Sequence, residues 1–270
     1  MHHIAAILPI PHLLRRLSEN AATRLRTLPA NSQVLARTPS SWEEHSPSVP
    51  FPIRPQDESS SKPPTIIHHL ASLTHPDAER LFPYNTAPWE RHHPWGARLD
   101  LQFPRHRLSP QERTDYIRSV RRRISALNAN AKALTVYTDG SRKPVNGRRR
   151  TGAGLVAFSQ GHVLHSARIP LGRRAGIYDA EMWALAAGAA RARDLLNQHP
   201  HLRTFTFFTD NQSAVRTITD TSAQPAQAAS IIFRKHVDYI LNSLPDARVE
   251  ITWVPGHQGI AGNERADQLA

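Results

Sequence analysis

Hydrophobic and polar positions alternate with a period of two only beyond residue 133. Leu134, Val136 and Thr138 set the first such run, and similar runs follow at 153–159 and 162–169, punctuated by Gly152, Gly154 and Gly161. The period then lengthens: Met182, Leu185, Ala186, Ala189 and Leu196 fall on one alanine-rich face of a helix, suited to close packing on a sheet. A fourth strand, "TFTFFTD", is followed by helical stretches near 211–219 and 223–243. A fifth strand, "VEITWV", leads through "PGHQGIAGN" into a last helix beginning near Asn263. The order βββαβααβα, without internal repeat, predicts an α/β domain over 134–270.

Upstream, "SPQERTDYIRSVRRRISAL" predicts a helix within 109–133. Ser109 can cap it, Pro110 suits its first turn and Glu112 completes a capping box. Ile117, Val120, Ile124 and Leu127 recur at helical spacing, opposite Arg118, Arg121, Arg122 and Arg123. Between residues 40 and 110 the periodicity fails, and Pro, Ser, charge and scattered aromatics mix. Residues 1–108 are therefore expected to be a Pro-rich, poorly ordered extension. Residues 11–37 could hold one short basic helix carrying Leu13, Leu14, Leu17 and Leu25. Composition sharpens the division: 16 of 22 prolines lie at or before Pro110, and 11 of 12 glycines lie after residue 133.

A net charge of +12 and a pI near 11 point first to nucleic acid as the partner, since neutralising phosphates is the commonest use of such an excess. Residues 101–133 hold eight Lys/Arg against two acids; that basic face is either a solvated helix surface or a phosphate contact. Without cysteine there is neither a disulfide framework nor a thiolate zinc site, so any metal must sit on carboxylates or histidines. The start "MHHIAAILPIPHLL" is broken by Pro9 and Pro11 and lacks a basic lead, unlike a signal peptide. No window approaches a membrane span, so no membrane partner is expected.

Acids stand at turn or helix-terminus positions: Asp139 ends the first strand, Asp210 ends the fourth, and Glu181 lies in the first turns of the long helix. Asp267 follows one turn into the final helix, ten residues after His257. Each has a structural reading taken singly: Asp139–Gly140 is a common turn pair, Asp210 a helix cap, Glu181 a partner of the macrodipole, Asp267 a solvated residue and His257 a loop decoration. If the first and fourth strands are adjacent, however, Asp139 and Asp210 approach closely and Glu181 can join them. Carboxylates gathered without cations repel, and hard divalent ions resolve that conflict. Paired Mg²⁺ ions on such a set would serve phosphodiester hydrolysis.

These residues resemble the type 1 ribonuclease H family, especially the domains joined to reverse transcriptases of fungal LINE-like (non-LTR) retrotransposons. The resemblance rests on "YTDGS", "YDAEMWAL", "FFTDNQSA" and "WVPGHQGIAGNERADQLA", in the family's order. It implies a ribonuclease H-like fold with a five-stranded mixed sheet flanked by helices. It implies that Asp139, Glu181, Asp210 and Asp267 bind two Mg²⁺ ions, for which Mn²⁺ can substitute, and that His257 assists proton transfer or product release. The expected reaction is endonucleolytic hydrolysis of the RNA strand of an RNA–DNA hybrid, leaving 5′-phosphate and 3′-hydroxyl ends. Backbone groups at Gly140 and Ser141 are expected to read 2′-hydroxyls, with Arg142, Lys143 and Asn263 as further nucleic-acid contacts. The basic hairpin also carries Arg148, Arg149 and Arg150, which a solvated turn would equally explain.

Two departures stand out. Ile177, Tyr178 and Asp179 replace the Asn or Gln residues that usually precede the glutamate, and 210–249 is too short and too poor in Lys/Arg for the basic protrusion of some members. A reverse transcriptase polypeptide is a further expected partner, and a retroelement product would work in nucleus or cytoplasm. No polymerase-like "YxDD" precedes the domain, and the last helix has little length after Asp267, as a truncated element fragment would show. The rival readings are an inactive remnant that binds nucleic acid and an integrase- or transposase-like DNA nuclease. The "GHQGIAGNERAD" stretch favours ribonuclease H over the latter.

Overall fold

The computed structural model describes residues 95–145, 147–221 and 224–270, together with six helical positions between Ile10 and Ala21. The chain divides into two compact units, residues 1–83 and 84–270. In the first, Ile10, Leu13, Leu14, Leu17, Asn20 and Ala21 are helical; Leu25 and the other residues up to 94 lie outside the described residues. Among the described residues no helix is long and apolar enough to cross a membrane.

In the second unit the chain runs β1 (Leu99–Gln102), α1 (Pro110–Asn128), β2 (Ala133–Val145), β3 (Arg148–Ser159), β4 (His162–Gly172), α2 (Ile177–Gln198), β5 (Thr204–Thr209), α3 (Gln212–Thr217), α4 (Gln227–Ser243), β6 (Arg248–Trp253) and α5 (Ala261–Leu269). The sheet order is β1-β6-β5-β2-β3-β4, parallel from β1 to β2 and antiparallel from β2 to β4. The mixed α/β class is as expected, with six strands instead of five. The extra strand, Leu99–Gln102, comes from the segment expected to be irregular and pairs with β6 by backbone bonds along one edge. Four residues at an edge carry too little periodicity to stand out in sequence. Likewise β2 and β3 run on into the Arg/Lys-rich hairpin, pairing as far as Val145 with Arg148, because the ladder needs no apolar side chains once the strands leave the core.

The central strands are covered on both faces, which is why β5, TFTFFT, is buried continuously from Phe205 to Thr209, its threonines included. One face packs Leu134, Val136, Phe205 and Phe207 against Met182, Leu185, Ala186 and Ala189 of α2 and Phe233, Val237 and Ile240 of α4. On the other, Tyr137, Val156 and Phe208 meet Val120 and Leu127 of α1, with Ile260 and Ala266 around α5. Helix α1 carries the expected capping box: Ser109 accepts from the Glu112 amide, and Glu112 accepts from the Ser109 amide. Gly140 lets α2 approach β2, since a Cβ there would lie 2.5 Å from the Glu181 nitrogen.

Candidate active site

Strands β2 and β5 lie side by side in parallel, with Thr138 opposite Thr209. The next residue along each is an aspartate, Asp139 beside Asp210: β5 stops at Thr209, whereas Asp139, expected to end its strand, lies within β2, which runs on paired with β3. Helix α2 crosses above that pair and brings Glu181 down from its second turn. Ligand oxygens of Asp139, Glu181 and Asp210 all lie within 4.8 Å of one another. Asp139 and Glu181 are buried, only 6% and 4% exposed.

The surroundings hold this arrangement in place. Thr209 donates its hydroxyl to Glu181 Oε2 at 3.3 Å, and the Gly140 amide also donates to that carboxylate. The Trp253 indole donates to the Asp210 backbone carbonyl at 2.8 Å. Gly256 leaves room beside Asp210: a Cβ there would stand 2.7 Å from Oδ2. Burial, with Asp139 and Asp210 adding their charges, pushes Glu181 up to about 9. Burial and the neighbouring Asp210 and Asp267 push Asp139 up to about 7, against a downward pull from Lys143. Burial also raises Asp210, while the Asn263 side-chain amide, Asp139 and His257 oppose it. In this low-dielectric corner Glu181 thus holds its proton at neutral pH and Asp139 is about half protonated, unless a cation takes the proton's place.

Asp267 stands outside the close trio. It sits on α5 with its side chain 41% exposed, pairs with Lys143 Nζ at 3.6 Å, and reaches Asp139 and Asp210 through its charge. His257 is exposed in the turn between β6 and α5, with a left-handed φ of 55°. Asn263 is buried, donates to Asp210, and its Oδ1 is a buried acceptor without a hydrogen-bond partner. Of the other expected contacts, Gly140 is buried against α2 and Ser141 is half-buried. Arg142 and Lys143 are exposed on the hairpin, where Arg142 donates to the Arg173 carbonyl.

The trio fits hard divalent cations by its chemistry: carboxylate oxygens from three elements, clustered and buried, with a spare amide oxygen nearby. Sequence reasoning overlooked Thr209 and Trp253. Thr209 and Trp253 read as ordinary strand positions, and only adjacency to an acid in sequence or across the sheet marks them.

The chain resembles human ribonuclease H1, at 31% identity over 147 residues that cover 51% of this chain and 48% of that protein. It thus spans about half the length of the curated relative it matches. Among solved structures it is similar to ribonuclease H1 from the halophilic archaeon Halobacterium salinarum, at 25% identity over 51% of this chain and 94% of that one, with a TM-score of 0.37. A ribonuclease H1 isolated from compost and solved with an RNA/DNA hybrid is 17% identical over 50% of this chain and 94% of that one, TM-score 0.37. The RNase H family model matches residues 131–270, from the lead into β2 through α5, and therefore takes in every acid of the buried trio together with the turn and helix beside it. By that match the chain belongs to the RNase H family.

Proposed function

We propose that the protein is a metal-dependent endonuclease that hydrolyses the RNA strand of RNA–DNA hybrids. The observation that carries this reading is the convergence of the Asp139, Glu181 and Asp210 oxygens within 4.8 Å at one end of the sheet. These three, with Asp267 at the rim, would hold two Mg²⁺ or Mn²⁺ ions. When bound, such a pair activates water, polarises the phosphoryl group and stabilises the leaving oxygen in line. Water oxygen joins phosphorus and the P–O3′ bond breaks, leaving a 5′-phosphate and a 3′-hydroxyl.

The chain's own groups position and relay. Thr209 and the Gly140 amide fix Glu181, Trp253 and Asn263 fix Asp210, and His257 moves a proton at the exposed edge of the site. The hairpin residues Arg142, Lys143, Arg148, Arg149 and Arg150 would track phosphates, and Ser141 would meet the 2′-hydroxyls that distinguish RNA. Membership of a reverse-transcriptase-linked retrotransposon lineage is part of the same proposal and rests on the resemblance of the four motifs.

A labelled RNA, free or in hybrid with DNA, incubated with and without Mg²⁺ tests this reading, with Asp210→Asn as the control. Metal-dependent cleavage of RNA only in the hybrid, absent in the control, is expected. Binding without cleavage would instead mark an inactive remnant, and cutting of DNA a related nuclease.

A further inference from the structure

Helix α1 lies outside the family-matched segment 131–270, yet it reaches the acidic centre by two routes. The first runs through Arg121, whose guanidinium donates to the Gln258 carbonyl at 2.8 Å. That carbonyl belongs to the residue after His257, in a turn where both His257 (φ 55°) and Gly259 (φ 66°) are left-handed. A non-glycine residue in that region persists only where its surroundings over-determine it. Arg121 supplies such a constraint from across the fold, and its Nη2 would stand 3.5 Å from a Cβ at Gly259.

The second route runs through Tyr116. Its hydroxyl donates to the Trp253 carbonyl at 2.8 Å, and the two rings lie 5.4 Å apart. Trp253 in turn donates to the Asp210 carbonyl at 2.8 Å. Burial, with the Glu250 charge adding to it, pushes the Tyr116 phenol up to about 12, so it remains a donor. Val120, between the two contacts, and Ile124 and Leu127, beyond them, seat the helix on the core, so both contacts are presented from a rigid support.

We propose that α1 is a positioning element of the active site, in which Arg121 locks the turn that carries His257 and Tyr116 braces Asp210 through Trp253. This inference rests on the hydrolytic reading above. The basic face of α1 thereby has a second use: one of its arginines faces the protein's own backbone. Losing Arg121 lets the turn sample other conformations, so the histidine is misplaced while substrate still binds. The signature is a fall in kcat with KM nearly constant. A phosphate contact would show the opposite pattern, a rise in KM and a weaker salt dependence.

The test uses the 270-residue chain, with Arg121→Ala, Arg121→Lys, Tyr116→Phe and, as a charge-matched control on the same helix, Arg113→Ala. Arg121→Ala is expected to lower kcat on a labelled hybrid about five- to twentyfold, with KM within about twofold. Arg121→Lys, which retains a donor, restores most of the rate; Tyr116→Phe, which keeps the ring, costs about two- to fivefold. Arg113→Ala leaves kcat unchanged. A kcat for Arg121→Ala within twofold of the unmodified chain, or a KM effect shared with Arg113→Ala, overturns the proposal. Amide hydrogen exchange over residues 256–260 reads the same contact without turnover: Arg121→Ala must speed it by about tenfold while β5 stays protected. Unchanged exchange overturns the proposal even if the unmodified chain cleaves nothing, whereas faster exchange in an inactive protein upholds the brace and rejects the hydrolytic reading.

Discussion

Asp139, Glu181 and Asp210 hang from two core strands and a long buried helix, whereas His257 and Asp267 ride on an exposed left-handed turn and a nine-residue helix at the sheet's end. The first group gains fixed geometry from close packing and suffers for it electrostatically, since burial raises all three acids and repulsion from neighbouring carboxylates adds to the rise of Glu181 and Asp139. The second group costs the fold little. Its placement depends on a few individual contacts, such as Arg121 with Gln258 and Lys143 with Asp267. One half of the site is thus set by the core, the other by fastenings that a single substitution can undo.

The largest effect expected from breaking the buried half is on activity. Asp210→Asn keeps the side chain's shape and removes its charge, so hybrid cleavage in Mg²⁺ should fall by about a thousandfold or more. The metal-free variant should melt higher than the unmodified metal-free protein, because one charge has left a crowded apolar corner. Thermal unfolding in chelator checks the second outcome, and a lower melting temperature would mean that Asp210 stabilises the fold rather than straining it.

The pH dependence of the metal-free protein follows from the same half. The unfolded chain ionises Glu181 near 4.5, while the folded protein keeps that proton up to about 9. Between these values unfolding releases a proton that folding retains. The stability contributed by this group is therefore full below about 4.5 and declines as pH rises toward 9. Asp139 adds a slope of the same sign between 3.8 and about 7. Urea midpoints in chelator should be lower at about pH 8.5 than at about pH 5.5, and added Mg²⁺ should recover most of the difference by binding the folded state. Midpoints that rise with pH in chelator would remove the picture of repelling acids.

Much of the buried half was legible in the sequence, and for a physical reason. Strand periods place each acid just past an apolar run, and two such parallel runs need only be neighbours for the acids to meet, as the pairing of Thr138 with Thr209 makes them do, even though β2 itself continues beyond Asp139. The other half was less so. "VPGHQGIAGN" shows a histidine between glycines but not its φ of 55°, and nothing local says that Arg121, more than a hundred residues earlier, holds the turn. Long-range polar contacts leave no period. The short edge strand Leu99–Gln102 escaped for a related reason: it is stabilised by backbone pairing with β6, to which side-chain pattern contributes little.

His257 sharpens the contrast at intermediate size. His257→Ala should lower kcat by about ten- to a hundredfold while barely shifting the melting temperature, as expected for an exposed proton carrier. His257→Gly should lose as much activity yet be more stable than the alanine variant by ~1 kcal/mol, because glycine adopts a φ of 55° freely. Equal stability of the two variants, by urea unfolding, would show that the turn carries no backbone strain.

The smallest effect belongs to the Lys143–Asp267 pair. Its atoms stand 3.6 Å apart with side chains 58% and 41% exposed, so solvent screens most of their attraction. Lys143→Gln should change the unfolding free energy by less than ~0.5 kcal/mol. Lys143 also draws the pKa of Asp139 downward, so its loss leaves that acid slightly more protonated and the metal requirement correspondingly steeper. A Mg²⁺ titration of hybrid cleavage should then show half-activation at higher metal with unfolding almost unchanged. A stability loss above ~1 kcal/mol would place the pair among the buried contacts instead, and the division between a core-held and a fastened half would have to be redrawn around α5.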